Sequence, residues 1–423
     1  MLVLYPNSSS YSNYSSIETF NETGAVDYVS TIDDFNNNYY ATYEQDSGYT
    51  LTDNLQDTSV RAAFSIAGWR PKKDPIAQAV EWWVFDWEYS YSPEQSSALF
   101  SVVNYNTTFY QYSQENNYVF DPRGFNTFLR GQASTFLQNG TSDPRLKLNT
   151  IVTNITYSDS GVTVHNSDNS CLTASYAICT FSLGVLQNDV VTFSPPLPPW
   201  KTKAISTFSM GTYTKIFLQF PADQVFWNTS TQFFLYADPL QRGWYPVFQS
   251  LDAEGFLPGS GILFCTVVQD LSYKVEAQDD EVTKEEILAV LRRMFGAENV
   301  PMPIAFMYPR WSTEPWAYGS YSNWPPGTSL ESHENLRANV GRLFFAGEAT
   351  SAQYYGFLHG AYFEGLEAGT EVAKCLLEGG TGECGTYESY KVLRGTTAVG
   401  DYNMSNGWMV SNFQTQGVYG SGG

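Results

Sequence analysis

The sequence predicts an α/β fold of mixed type, and three observations carry that prediction. Alternating strand patterns cluster in the middle of the chain, and an amphipathic helical pattern covers residues 283–294. A buried strand pattern ending in Gly-Glu then leads into a helical stretch from about Phe357 to Leu377. The chain has 423 residues, room for two or three domains at roughly 100–200 residues each. Apolar residues make up 43% of it, so a packed core is expected rather than disorder.

Taken in order, residues 1–60 are polar and rich in Tyr, Asn and Ser, with a helical piece expected around Val26–Tyr43. Residues 76–90 read as a buried helix whose end carries a carboxylate, Glu88. Strands are expected over Leu148–Tyr157, Val162–Asn166 and Cys171–Phe181, with turns at Ser158–Gly161 and Ser167–Ser170, which makes a β-meander. The prolines between 195 and 199 break the chain. Met210–Phe220, Gln232–Tyr236 and Gly261–Val268 read as strands of a second sheet. A capping box at Thr283-Lys-Glu-Glu286 opens a helix with Ile287, Val290, Leu291 and Met294 on one face, and Gly296 ends it. Arg342–Glu348 is a buried strand, and from 385 onward apolar periodicity is lost, which reads as a loose tail.

Composition excludes several functions. The chain carries 43 acidic and 22 basic side chains, a net charge of −21, and so lacks the basic footprint that nucleic acid needs. Such a charge suits a cationic substrate and serves equally well to prevent association. No run of 18 apolar residues is present, so no membrane-spanning helix is expected. His165, His333 and His359 have no metal-ligand spacing, and neither G-x-S-x-G nor H-E-x-x-H occurs, so neither a metal site nor a hydrolytic triad is expected. Gly380–Gly385 matches G-x-G-x-x-G but follows a helix instead of a strand, the wrong context for a dinucleotide. Cys375 and Cys384 are spaced to close a small loop, whereas Cys179 and Cys265 read as buried thiols. Sequons at Asn7, Asn13, Asn21, Asn106, Asn139, Asn154, Asn228 and Asn403 favour a secreted glycoprotein, although no signal peptide opens the sequence.

Three features remain for chemistry. The first is the strand-loop-helix at Phe344–Ala361, where an acidic residue at a strand end and a helix N-terminus suit a phosphate-bearing, electron-rich ring. The second is the aromatic loop Pro309–Pro325. The third is Lys215 in an otherwise apolar strand, either an edge-strand lysine reaching for water or a desolvated functional amine.

Together these residues resemble the flavin-containing amine oxidases, closest to the polyamine oxidases of plants and fungi. The resemblance runs from about Ala77 to Cys375 and is densest in Leu148–Phe220, with Ser182-Leu-Gly-Val-Leu-Gln187, in Pro309–Pro325 and in Arg342–Gly365. It implies a two-lobed fold with a Rossmann-like FAD lobe and a mixed-sheet substrate lobe. The segments it implies are 1–118 (helical part of the substrate lobe), 119–185 (FAD lobe with the meander), 186–330 (substrate lobe), 331–384 (FAD-lobe strand-loop-helix) and 385–423 (flexible tail). Lys215 stands where the family's lysine holds a water against the flavin, and Trp311 where an aromatic lies near the ring. Tyr321 and Phe357 match the pair that sandwiches the substrate amine. Gly347, Glu348, Phe357 and Leu358 fall on cofactor-contacting positions, and Val152 on one whose backbone meets the adenine. Glu88 matches a tunnel carboxylate that attracts a distal ammonium, and is read equally well as a solvated carboxylate at a helix end.

The implied reaction is FAD-dependent oxidation of a polyamine of the spermine or spermidine type, with dioxygen as co-substrate. It yields an aminoaldehyde, a shorter amine and hydrogen peroxide. The family's opening strand, G-x-G-x-x-G turn and helix do not occur in this sequence, so an N-terminally truncated chain is expected, short of a βαβ unit of ~30 or more residues and binding FAD poorly until it is restored. A catalytically dead, cofactor-free remnant and an oxidase of another amine or an L-amino acid are the alternatives. The last would want an arginine for the carboxylate, for which Arg310 is the one arginine of the aromatic loop.

Overall fold

The computed structural model describes residues 10–11, 16–108, 118–119, 122–138, 140–378, 384–385 and 387–401. Asn7, Asn13, Asn139, Asn403 and residues 380–383 of the Gly-rich pattern lie outside them. The largest unit is a seven-stranded mixed sheet. Its strand order is Ala305–Met307, Tyr213–Gln219, Ile262–Val268, Val247–Ser250, Phe233–Ala237, Ile17–Asn21, Gly24–Ala25. Neighbours are antiparallel except Phe233–Ala237 with Ile17–Asn21.

Both faces of this sheet are covered, which explains why Phe233-Phe-Leu-Tyr-Ala237 is apolar at every position. Phe233, Leu235 and Ala237 pack on Phe35, Val80, Trp82 and Phe85 of the N-terminal helices. Phe234 and Tyr236 share the opposite core with Ile216, Leu218, Ile287 and Leu291. Both N-terminal helices widen through one π turn, at Phe35–Tyr40 and at Trp82–Asp86. Such turns are uncommon and recur near functional sites.

The helix expected at Thr283 starts earlier, at Asp280, and runs to Phe295 before Gly296 in the left-handed region at φ 90°. Asp280 and Glu281 in its first turn complement the helix dipole. Thr283 does not cap: it is buried and accepts from Gln278 Nε2 at 2.8 Å. The meander also departs from expectation. Val152–Ser158, Gly161–Asn166 and Cys171–Ala174 pair in sequence, and Thr192–Ser194 joins the first of them in parallel. The predicted third strand, however, breaks at Ser175–Tyr176. Its second half, Ala177–Cys179, leaves the meander and pairs in parallel with Leu343–Phe345. Residues 171–174 are solvent-exposed while Cys179 and all of Leu343–Phe345 are buried, so one strand pattern serves two environments.

Cys375 and Cys384 form a disulfide at the end of the helix Leu358–Leu377. Beyond it, residues 387–401 are not loose. They run along the helix Leu330–Arg337, with Asn335 and the Tyr390 backbone exchanging hydrogen bonds of 2.8 and 2.6 Å. Arg394 donates twice to Glu331 at 2.7 Å, and Thr397 Oγ1 accepts from Leu330 N at 3.2 Å. Side chain to backbone pairing of this kind orders a segment without apolar periodicity, which is why composition alone misread it. Among the described residues no helix is long and apolar enough to cross a membrane, and no cluster of His, Cys, Asp and Glu could hold a metal ion.

Candidate active site

A cavity of about 780 Å³ is lined from the seven-stranded sheet, the aromatic loop, the pair Ala177–Cys179 and Leu343–Phe345, and the start of the helix Leu358–Leu377. Alternation along one strand decides what faces it. Tyr213, Lys215 and Phe217 line the cavity, while Thr214, Ile216 and Leu218 between them are buried in the core. Lys215 is the exposed position of this strand, and the space it is exposed to is this cavity. Its side chain opens onto the cavity, with Nζ 5.6 Å from the centroid of the Tyr213 ring and 5.5 Å from that of Phe264. Withdrawal from bulk water lowers its pKa, and the Glu88 carboxylate opposes that shift.

The aromatic loop supplies Pro309, Trp311, Trp316 and Tyr321 to the wall. Trp311 and Trp316 meet edge to face, with centroids 5.5 Å apart. The loop is held at three points. Near its start, the Glu276 carboxylate accepts from Ser312 N at 2.7 Å and from Ser312 Oγ, and also from Thr214 Oγ1 of the lysine strand. In the middle, Ser182 Oγ donates to the Ala317 carbonyl at 2.6 Å while accepting from Val185 N, which caps the helix Leu183–Gln187. At its far end, Ser322 N and Oγ donate to Glu348.

This explains the Ser-Leu-Gly sequence. A Cβ on Gly184 would stand 2.3 Å from the Tyr318 oxygen and 2.6 Å from that of Ala317. Gly184→Ala is expected to lower unfolding stability by roughly 1–3 kcal/mol, read from the urea midpoint. An unchanged midpoint would show that the loop does not rest there.

Glu348 bridges the loop and the Gly-Glu turn. Its carboxylate accepts from Ser322 and, at 2.7 Å, from Gly356 N. Burial raises its pKa, against those hydrogen bonds. Gly347 and Leu358 also line the cavity, and Leu358 stands 70% exposed toward it. Phe357 is half-buried one residue before the helix and is not part of the lining.

Glu88 lies behind the wall. Its carbonyl accepts from Tyr321 OH at 2.8 Å, and burial pushes its carboxyl up to about 7 against the pull of the Lys215 charge. Val152 is the odd member: it opens the meander, packs on the Ile155 and Leu343 core, and does not line the cavity. The fold thus brings Lys215, Trp311, Tyr321, Gly347, Glu348 and Leu358 to one cavity, with Glu88 and Phe357 adjoining it in sequence or by hydrogen bond.

Sequence reasoning missed Tyr213 and Phe217, which the strand period would have found two residues either side of Lys215. It also missed Leu183 and Phe345 in the lining, and Ser322, the partner of Glu348; these reach the site only through tertiary packing. Arg310 turns away to the Glu276 carbonyl at 3.0 Å and Asp280 at 2.6 Å, which leaves Lys215 as the one cation among the described lining residues.

Residues 71–373 match the family described as flavin containing amine oxidoreductase. The chain is 39% identical over 308 residues to polyamine oxidase 1 of Zea mays, covering 71% of this chain and 60% of that protein. It is 40% identical over 300 residues to polyamine oxidase 7 of Oryza sativa subsp. japonica, covering 70% of this chain and 62% of that one. It therefore spans about 60% of the length of the curated relatives it matches. The solved structure of wild-type putrescine oxidase bound to putrescine shares the fold, with a TM-score of 0.66 at 15% identity over 86% of this chain and 83% of the other.

Proposed function

From the premise that this chain belongs to the flavin containing amine oxidoreductase family, we propose that it serves FAD-dependent oxidation of polyamines of the spermine or spermidine type at a carbon beside nitrogen. The observation that carries this reading is the single cavity that gathers the lysine strand, the aromatic loop and the Gly-Glu turn.

The residues present fit the ring end of a flavin. The cavity has an apolar wall of Leu183, Phe217 and Phe345 for a flat ring and a polar side at Gly347, Glu348 and Thr350. The helix Leu358–Leu377 begins beside it with no side chain capping its first turn, and the dipole of that end favours an electron-rich group. A flavin held there would supply the oxidation of the C–H bond beside nitrogen and the reduction of dioxygen to hydrogen peroxide.

The protein's own groups do the rest. Tyr321 and Trp311 offer π faces to an alkylamine from the cavity wall, and Phe357 adjoins that wall immediately before Leu358 in sequence. The neutral fraction of the Lys215 amine, enlarged by burial, holds or moves a proton at Nζ within the cavity. Glu88 draws the distal ammonium of a polyamine. As its pKa is raised to about 7, the carboxylate is charged above that pH and neutral below it, so this attraction is present at pH 8 and lost toward pH 6. An amino-acid substrate is disfavoured by the position of Arg310, whose guanidinium is paired with Asp280 outside the cavity.

The test is to load the protein with FAD, desalt it, and record the flavin absorbance and peroxide release with spermine, spermidine, a monoamine and an L-amino acid. Weak flavin retention is expected of a sequence without the G-x-G-x-x-G turn, with peroxide from the polyamines while FAD is kept in excess and affinity for them rising from pH 6 to pH 8. Retained flavin that no polyamine reduces would refute the substrate assignment. Colourless protein that gives no peroxide even with FAD in excess would refute the cofactor assignment and favour a cofactor-free remnant.

A further inference from the structure

Glu88 is placed by an uncommon arrangement. It follows the π turn Trp82–Asp86, and the helix ends two residues later at Ser90, in the left-handed region at φ 57°. Nothing in the regular helix fixes where such a carboxylate points. A loop between the strands Phe233–Ala237 and Val247–Ser250 packs on this turn.

In that loop Asp238 Oδ1 accepts from Leu240 N and Gln241 N, both at 2.9 Å. The loop backbone rests on the π turn at Gly243, where a Cβ would stand 2.7 Å from Trp82 Nε1. Arg242 then grips the turn: Nη1 and Nη2 donate to the two Asp86 oxygens at 2.6 and 2.7 Å, and Nη2 also donates to Glu81 at 2.9 Å. Asp86 and Glu81 are fully withdrawn from solvent. Glu81 is shared with Arg61 and with Trp69 Nε1.

A buried charge cluster is a poor way to gain stability, because apolar packing of equal volume does as well or better. What a bidentate guanidinium adds is geometry. Here the geometry is that of Asp86, two residues before Glu88, whose own carbonyl accepts from Tyr321 OH.

We propose that Arg242 is a positioning residue: by clamping Asp86 and Glu81 it sets the reach of the Glu88 carboxylate and so selects amines that carry a second, distal ammonium. This rests on the reading of Glu88 given above and assigns the element that enforces it. Arg242 touches neither the cavity nor any substrate, so sequence spacing gives no hint of the role.

The experiment is a double-mutant cycle read by titration calorimetry with spermidine and with hexylamine, which has no distal ammonium. Arg242→Lys keeps the charge but loses the fork, and Asp86→Asn removes the other partner; near-UV circular dichroism checks the fold of each. Both are expected to weaken spermidine binding by about 3- to 10-fold and to leave hexylamine within about 2-fold. In a Glu88→Gln background, Arg242→Lys should add nothing. Equal weakening of both amines, or an effect that persists with Glu88→Gln, overturns the proposal and leaves Arg242 a structural residue. If Glu88→Gln alone leaves spermidine binding unchanged, the reading of Glu88 itself fails and this proposal falls with it. A normal Glu88→Gln effect beside an unselective Arg242→Lys defeats this proposal alone.

Discussion

Lys215→Met is expected to slow amine-driven flavin reduction or its reoxidation by dioxygen by about 10²- to 10⁴-fold, the range over which a positioned proton-transfer group contributes. The substitution is nearly isosteric, and among the described residues no carboxylate lies within ion-pair distance of Nζ, so it leaves no buried partner orphaned. Folding should be intact and the urea midpoint no lower than that of the parent. A second consequence follows from the coupling to Glu88. Lys215 pulls the Glu88 pKa down, and without it burial acts unopposed. The carboxyl then ionises above its present value of about 7, and tight binding of spermidine should begin at a higher pH than in the parent. Stopped-flow reduction and reoxidation of the FAD-loaded protein, followed across pH, check both. Unchanged rates would remove Lys215 from the site.

Arg337→Met is expected to lower stability by about 3–5 kcal/mol, because it strands a buried carboxylate. Arg337 is itself buried and donates to both oxygens of Glu364, at 2.8 and 2.9 Å, and to Glu367 at 2.6 Å. Glu364 in turn accepts from Thr350 Oγ1 at 3.2 Å, so this pair joins the helices Leu330–Arg337 and Leu358–Leu377 to the Gly-Glu turn beside the cavity.

The loss should depend on pH in a defined direction. Burial raises the Glu364 pKa to about 7 even with Arg337 opposing it, so in the variant it rises further. Folding with a neutral Glu364 is then possible at pH 5.5, whereas at pH 8 the variant must bury an unpaired charge or take up a proton. The difference in urea stability between parent and variant should therefore be larger at pH 8 than at pH 5.5. A penalty under about 1 kcal/mol at pH 8, typical of an exposed pair, would show that this one is solvated.

Much of the site was legible because its residues are locally anomalous. Lys215 is a cation in an apolar strand, Gly347-Glu348 ends a buried strand where polar residues are rare, and the aromatic loop is aromatic without any core period. Each stands out against the pattern that burial imposes on its own element. What was not legible are groups that look ordinary where they stand. Ser322, Ser312, Ser182 and Glu276 belong to polar stretches, yet they hold the aromatic loop through hydrogen bonds reaching up to 135 residues along the chain. The same holds for residues 387–401, whose bonds to the helix Leu330–Arg337 are made partly by backbone groups, which carry no sequence signal, and partly by Arg394 and Thr397.

By itself the sequence determined the α/β class, the strands and helices with strong periods, the Cys375–Cys384 loop, and six of the residues that line the cavity: Lys215, Trp311, Tyr321, Gly347, Glu348 and Leu358. Those follow from local steric preference and from which side chains avoid water, both written into neighbouring residues. Tertiary structure alone decided that the segment Cys171–Phe181 serves two sheets, that the helix at Asp280 begins ahead of its capping box, and that Val152 stands apart from the cavity while Glu88 sits behind it. It also decided that Lys215 faces the cavity beside Tyr213 and Phe217, where desolvation by neighbouring side chains lowers its pKa. These outcomes depend on which distant surfaces meet, and desolvation acts on the assembled neighbourhood of a group instead of on its place in the chain.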